Sequence, residues 1–189
     1  ALYTKNIRQK GCAVTSLATL LNYYAAAFSE LEISTTNPKK LNDTLVYKFK
    51  KKGYGFDNKH RLKFEVVSST MVSNGKVVFN GRSDYSLPLA PSDVNILRDL
   101  IDGDLNQKLP VVITVNRSIL VPNQTTGAQE VKTWVHFMLA VGRCANKYIV
   151  SDPGSGARSL LDPEESIVLD EQTENTFGPV VGVRRFKKK

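Results

Sequence analysis

Three side chains in this sequence have the types and the chain order needed for nucleophilic acyl transfer: Cys12, His136 and Asp152. Cys12 follows Lys10-Gly11 and opens the apolar run CAVTSLATLLNYYAAAF over residues 12–28. Backbone N–H groups at a helix start stabilise a thiolate, and Arg8 and Lys10 add positive potential. Gly11 leaves room for a substrate carbonyl to approach. His136 interrupts the apolar run Trp134-Val135-His136-Phe137-Met138-Leu139-Ala140-Val141, where a titratable ring is costly unless it is paired. Asp152 ends the run Tyr148-Ile149-Val150-Ser151-Asp152, just before Pro153. A short link over residues 143–146 separates the two runs, so antiparallel pairing would bring the acid near the imidazole, to orient the ring and stabilise its cation. Each residue also has a plainer reading. Cys12 can be a small buried hydrophobe, His136 a core histidine bonded to a carbonyl, and Asp152 a turn former before proline. His60 stands among Asp57, Asn58, Lys59 and Arg61 and reads as part of a solvated loop.

These side chains need elements to hold them. Leu17, Leu20, Leu21, Tyr24 and Phe28 fall at helical spacing with alanines between them, which predicts a buried central helix over 12–28. Asn37-Pro38 suits a helix start, and the pattern Leu41, Leu45, Phe49 predicts a second helix that ends at Lys52-Gly53. Residues 53–91 read as loops with strand-like runs at Leu62–Val67 and Val77–Asn80, and a possible hairpin at Ser73-Asn74-Gly75. A third helix is expected over 93–105, with Val94, Leu97, Leu100 and Ile101 inward. Strands are expected at Val111–Val115, Trp134–Gly142, Lys147–Ser151 and Val180–Phe186. The polar stretch 116–133 reads as a surface loop or solvated hairpin, with a lid or partner-binding role for residues 124–129 as the alternative. Pro153-Gly154-Ser155-Gly156 reads as a tight turn. Helices first and strands last is the α+β pattern, one antiparallel sheet with helices packed on a face.

Composition narrows the function classes. The 41% hydrophobic and 23% charged content of the 189 residues excludes a disordered chain and suits one domain over 1–189. No apolar run approaches the ~18 residues of a membrane span. Two cysteines and two histidines exclude a disulfide scaffold and a cysteine- or histidine-rich metal site, and no cofactor or metal is expected. Cys144 is expected to be a free thiol. The net charge of +8 invites a nucleic-acid reading, but no stacking pattern or nucleic-acid motif accompanies it, so no specific nucleic acid is expected as a partner. The excess gathers in the lysines of the second helix and in Arg184, Arg185, Lys187, Lys188 and Lys189, which read as a helix terminus and a solvated tail. Ala1-Leu2-Tyr3-Thr4-Lys5 has neither an initiating Met nor an apolar signal region, so the chain is expected to be an excised piece of a longer protein.

Thiol, imidazole and acid follow one another in the order of papain-like enzymes. The segment Lys10-Gly11-Cys12-Ala13-Val14-Thr15-Ser16-Leu17-Ala18, with Leu21-Asn22-Tyr23-Tyr24, resembles the nucleophile segment of papain-like cysteine peptidases related to the bacteriocin-processing, double-glycine leader peptidases. Residues 37–42, NPKKLN, resemble the segment that follows there. Residues 109–113, LPVVI, resemble the strand before the histidine, 136–142 the histidine strand and 148–153 the acid strand. The blocks run in family order from Lys10 to Pro153. The resemblance implies a papain-like fold, with a central helix carrying Cys12 packed on the C-terminal sheet. It implies a hydrolase in which Cys12 is nucleophile, His136 base and then acid, and Asp152 the orienting carboxylate. It implies a bacterial, secreted or cell-surface setting and a peptide or protein substrate, which includes cell-wall peptides. An oxyanion site needs N–H donors, and the backbone N–H of Cys12 is one. The family adds an upstream glutamine; Gln9, closer to Cys12 than in the family pattern, and Asn6 are the candidates here. Two other readings stay open: an inert binding module that keeps the fold, and a cell-wall amidase of the same superfamily.

Overall fold

The long apolar segment forms helix α1 (Cys12–Ala27), with Val14, Leu17, Leu20, Leu21 and Tyr24 buried. The computed structural model describes residues 11–48, 61–154, 156, 158–164, 167–170 and 175–189. Helix α2 (Pro38–Asp43) starts as predicted: Pro38 takes the first position and the Asn37 side chain accepts the Lys40 N–H at 2.8 Å. Asn22 of α1 locks this start in place, exchanging two 2.8 Å hydrogen bonds with the backbone of Thr36. The predicted continuation to Lys52 changes character, because Thr44–Lys48 winds as a π-helix. Residues 49–60 lie outside the described residues.

The segment 61–76 departs from expectation. Leu62–Val67 is not a strand: Phe64–Ser68 is a 3-10 helix that buries Phe64, Val66 and Val67. Leu62, Phe64 and Val66 alternate with Lys63 and Glu65, which reads as a strand, but so short an alternation yields to the packing of Phe64, Val66 and Val67. Nor do Ser73-Asn74-Gly75 make a hairpin. Ser73 ends the short helix α3 (Thr70–Ser73), and Asn74 at φ 55° with Gly75 at φ 66° turns the chain into β1 (Val77–Asp84). Helix α4 (Pro91–Asn106) begins at Pro91, two residues ahead of expectation. Leu97 and Ile101 face the core, while Val94 and Leu100 are half-buried.

The sheet is seven-stranded and antiparallel, in the order β1-β7-β2-β3-β4-β5, with β6 also paired to β7. Its remaining strands are β2 (Val111–Pro122), β3 (Gln129–Cys144), β4 (Lys147–Ser151), β5 (Arg158–Leu161), β6 (Ile167–Asp170) and β7 (Asn175–Lys188). The stretch 116–133 is a hairpin arm: β2 and β3 stay in unbroken register from Val111↔Ala140 to Pro122↔Gln129. Asn123 closes the turn, its side chain accepting the N–H groups of Thr125 and Thr126. Helices cover both faces of the sheet and not one. Strand alternation turns Val112, Leu139 and Phe186 toward α1, and Val111, Ile113, Met138 and Ala140 toward Leu97 and Ile101 of α4.

The basic end of the chain is a solvated tail only in its last lysines: Lys187, Lys188 and Lys189 are exposed, but the two arginines are not. Arg184 and Arg185 lie within β7. Arg184 is 8% exposed, pairs with Asp84 at 2.6 Å, and sits 5.9 and 5.7 Å from the ring centres of Phe64 and Phe137. Arg185 grips the buried Asp104 of α4 through two bonds of 2.8 and 2.7 Å. Asp84 and Asp104 lie 100 and 81 residues upstream of their arginines, so the two charges look unpaired in the linear sequence.

Candidate active site

Cys12 is the first residue of α1. Its N-cap, Gly11, has no side chain to spend on the helix end, so no side-chain cap competes for the first-turn N–H groups. This positive end is docked against the rim of the sheet. The ladder between β3 and β4 stops at Leu139↔Ser151, and beyond it that side of β3 has no strand among the described residues. The first turn of α1 fills the position next to it. The Ser16 hydroxyl donates to the Phe137 carbonyl at 3.2 Å, and the Phe137 N–H bonds the Cys12 sulfur. Cys12 and Ser16 stand one turn apart on the helix, so a single helix face satisfies both main-chain groups of Phe137.

His136 precedes Phe137, and its ring lies 3% exposed. Its Nε2 is 2.7 Å from Oδ1 of Asp152, which is also 3% exposed. A second hydrogen bond joins the ring to Cys12. With Nε2 committed to Asp152, Nδ1 is the nitrogen left for the sulfur. Asp152 stands just past the end of β4 and is fixed by its own turn. Oδ1 accepts the Gly154 N–H at 2.8 Å, and the Asp152 carbonyl accepts the Gly156 N–H at 2.8 Å. The turn expected of Asp152 is present, and the same turn sets its carboxylate against the His136 ring.

The electrostatics run in opposite directions at the two ends of the contact. Burial pushes the Cys12 thiol up, but the hydrogen bond and charge of His136, with the N–H groups of Phe137 and Ala13, outweigh it and hold the thiol below its ordinary 9.0. Burial pushes His136 down, but its bonds to Asp152 and Cys12, and their charges, hold it above its ordinary 6.5. Both shifts favour a proton on the ring and negative charge on sulfur. Such a pair can attack a carbonyl carbon and hand a proton to the departing group.

Cys12, His136 and Asp152 are thus brought together from the start of α1, the middle of β3 and the end of β4. Gln9, Asn6 and His60 lie outside the described residues. Cys144 ends β3 as an exposed free thiol. Among the described residues no group of three or more His, Cys, Asp or Glu stands together that could hold a metal ion, and no helix is long and apolar enough to cross a membrane. Ser16, Phe137 and Gly154 complete the site without having been singled out in the sequence. For Ser16 the available signal was its place one turn after the cysteine, and for Gly154 its place two residues after the acid.

An α+β molecule that presents a thiol from the start of a central helix to an imidazole and a carboxylate on an antiparallel sheet has the papain-like architecture. The chain belongs to the Peptidase_C39 like family, whose model matches residues 1–171, and so to the cysteine-peptidase class. No curated protein and no solved structure matches the chain.

Proposed function

We propose that this protein hydrolyses a peptide or isopeptide bond, with Cys12 as nucleophile, His136 as general base and acid, and Asp152 as the orienting carboxylate. What carries the reading is one relay: the buried Asp152 2.7 Å from one ring nitrogen of the buried His136, and the half-buried Cys12 bonded to the ring as well. The Cys12 thiolate attacks the scissile carbonyl, forming the C–S bond and an oxyanion. The backbone N–H of Cys12 is suited to receive that oxyanion at the uncapped helix start. Collapse breaks the C–N bond, and the His136 imidazolium gives its proton to the departing amine. The product is a thioester on Cys12. His136, now neutral, takes a proton from water as the water attacks the thioester carbon. Loss of the thiolate then frees the carboxylic acid and restores the starting pair. Asp152 keeps Nδ1 turned toward sulfur and stabilises each imidazolium.

The test compares the two thiols. Iodoacetamide at neutral pH is expected to modify Cys12 at least tenfold faster than Cys144, since the Cys12 thiolate is the stabilised one. Cys12→Ala is expected to abolish turnover of peptide and isopeptide substrates while the protein stays folded. Equal labelling of both cysteines would sink the reading, because Cys144 has the exposure and Cys12 only the activation.

A further inference from the structure

We propose that Trp134, steadied by Arg117, is a specificity-determining residue that forms a subsite for a bulky apolar side chain on the leaving-group side of the scissile bond. The inference rests on the peptidase reading and extends it to the kind of peptide the site takes.

The β2–β3 ladder runs without a shift through this region, pairing Val115 with His136 and Arg117 with Trp134. Side chains alternate along an unbroken strand, so Trp134 and His136 share a face, roughly 7 Å apart at the usual strand rise. Trp134 is 39% exposed, although tryptophan is large and costly to leave in water. It is also held in place. The Arg117 guanidinium centre lies 5.5 Å from its ring centre, a cation–π contact that orders the indole and leaves part of it uncovered. One step further out on the same face, Lys132 and Glu130 form an ion pair at 2.9 Å. The face thus reads, from the thiol outward, as a buried imidazole, an exposed indole and a charged rim. That is the order of a small apolar subsite beside reacting atoms.

The direction follows from the chemistry. The acyl group becomes bonded to Cys12, whereas the amine is protonated by His136 and must pass alongside that ring. A residue carried by the amine meets the next group on the His136 face, which is Trp134. An apolar side chain there removes indole surface from water, and a glycine removes almost none.

The experiment profiles cleavage of a proteome-derived peptide library by the full chain, with Trp134→Ala and Trp134→Phe alongside. The parent is expected to favour Leu, Ile, Phe or Met just after the cut bond. Trp134→Ala is expected to lose that preference, with kcat/KM on such peptides falling about tenfold or more, mostly through KM, while peptides with Gly at that position are cut as before. Trp134→Phe should keep most of the preference. An unchanged profile, or an equal loss on every peptide, overturns the subsite and leaves the peptidase reading standing. Cleavage of no peptide, together with an unreactive Cys12, overturns both. A second measurement needs no Trp134 variant. Trp134 is the chain's one tryptophan, so the fluorescence of Cys12→Ala should change on titration with the best-cut peptide and not with its glycine counterpart. Equal responses to the two peptides would also refute the subsite.

Discussion

At the residue scale the proposed function turns on where the proton between Cys12 and His136 resides. The reactive pair needs the thiol deprotonated and the ring protonated. The first condition is met above the lowered thiol pKa, and the second below the raised imidazole pKa. Peptide turnover should therefore rise with pH on an acid limb that lies below 9.0, as Cys12 ionises, and fall on an alkaline limb that lies above 6.5, as His136 loses its proton. Alkylation by iodoacetamide needs the thiolate but no proton donor, so it should show the acid limb without the alkaline fall. A turnover profile that only climbs, like an ordinary thiol titrating near 9.0, would contradict the pairing. These residues were legible in the sequence because so few candidates existed: with two cysteines and two histidines, each reading had one competitor. Phe137 was not legible, because it serves the site through its N–H and C=O, and main-chain groups leave no mark on residue type. Arg184 and Arg185 misled for a related reason. A run of cations reads the same whether it is solvated or paired with acids far upstream.

At the element scale the site depends on how α1 meets β3. A helix end set against a strand edge leaves few contacts to fix its height, and Ser16 supplies one of them. Ser16→Ala leaves the Phe137 carbonyl without its partner inside a tightly packed seam. The expected cost is about 1–2 kcal/mol of stability in urea unfolding, with a several-fold loss of turnover as Cys12 drifts from the ring. A variant as stable and as active as the parent would show that the hydroxyl does not hold the seam. The elements themselves were legible to different degrees. The cysteine helix and Lys147–Ser151 matched expectation closely, since both carry a continuous apolar signal of the right length. The arm over 116–133 hid its strands, because neither face of it enters the core and its residues carry no alternation to read. The 3-10 helix at Phe64–Ser68 resembled a strand because Leu62, Phe64 and Val66 alternate with Lys63 and Glu65 over too few residues to fix the form.

At the scale of the whole molecule, β7 is the spine. It pairs with β1, β2 and β6, and its arginines tie in Asp84 and Asp104. Among the described glycines the most closely approached is Gly182, where a side chain would find no room. A Cβ built there would collide with Oδ1 of Asp84 and stand 2.8 Å from the Ser83 carbonyl. Gly182→Ala should force β1 away and disturb the Asp84–Arg184 pair, costing about 2–3 kcal/mol and roughly 5–10 °C in Tm. A thermal melt matching the parent's would mean that β1 shifts freely. The class of the fold was legible, because helices dominate the first half and strands the second. Cover on both sheet faces was not, since strand order is set by pairings between distant parts of the chain. One consequence reaches into biosynthesis. The two ends of the Ser16–Phe137 contact lie 121 residues apart, and the thiol is activated by groups from that same far segment. A ribosome makes Cys12 long before it makes β3 and β4. On the proposed reading, the growing chain carries a cysteine of ordinary reactivity until those strands fold back onto α1, and peptide cleavage begins only when the fold closes.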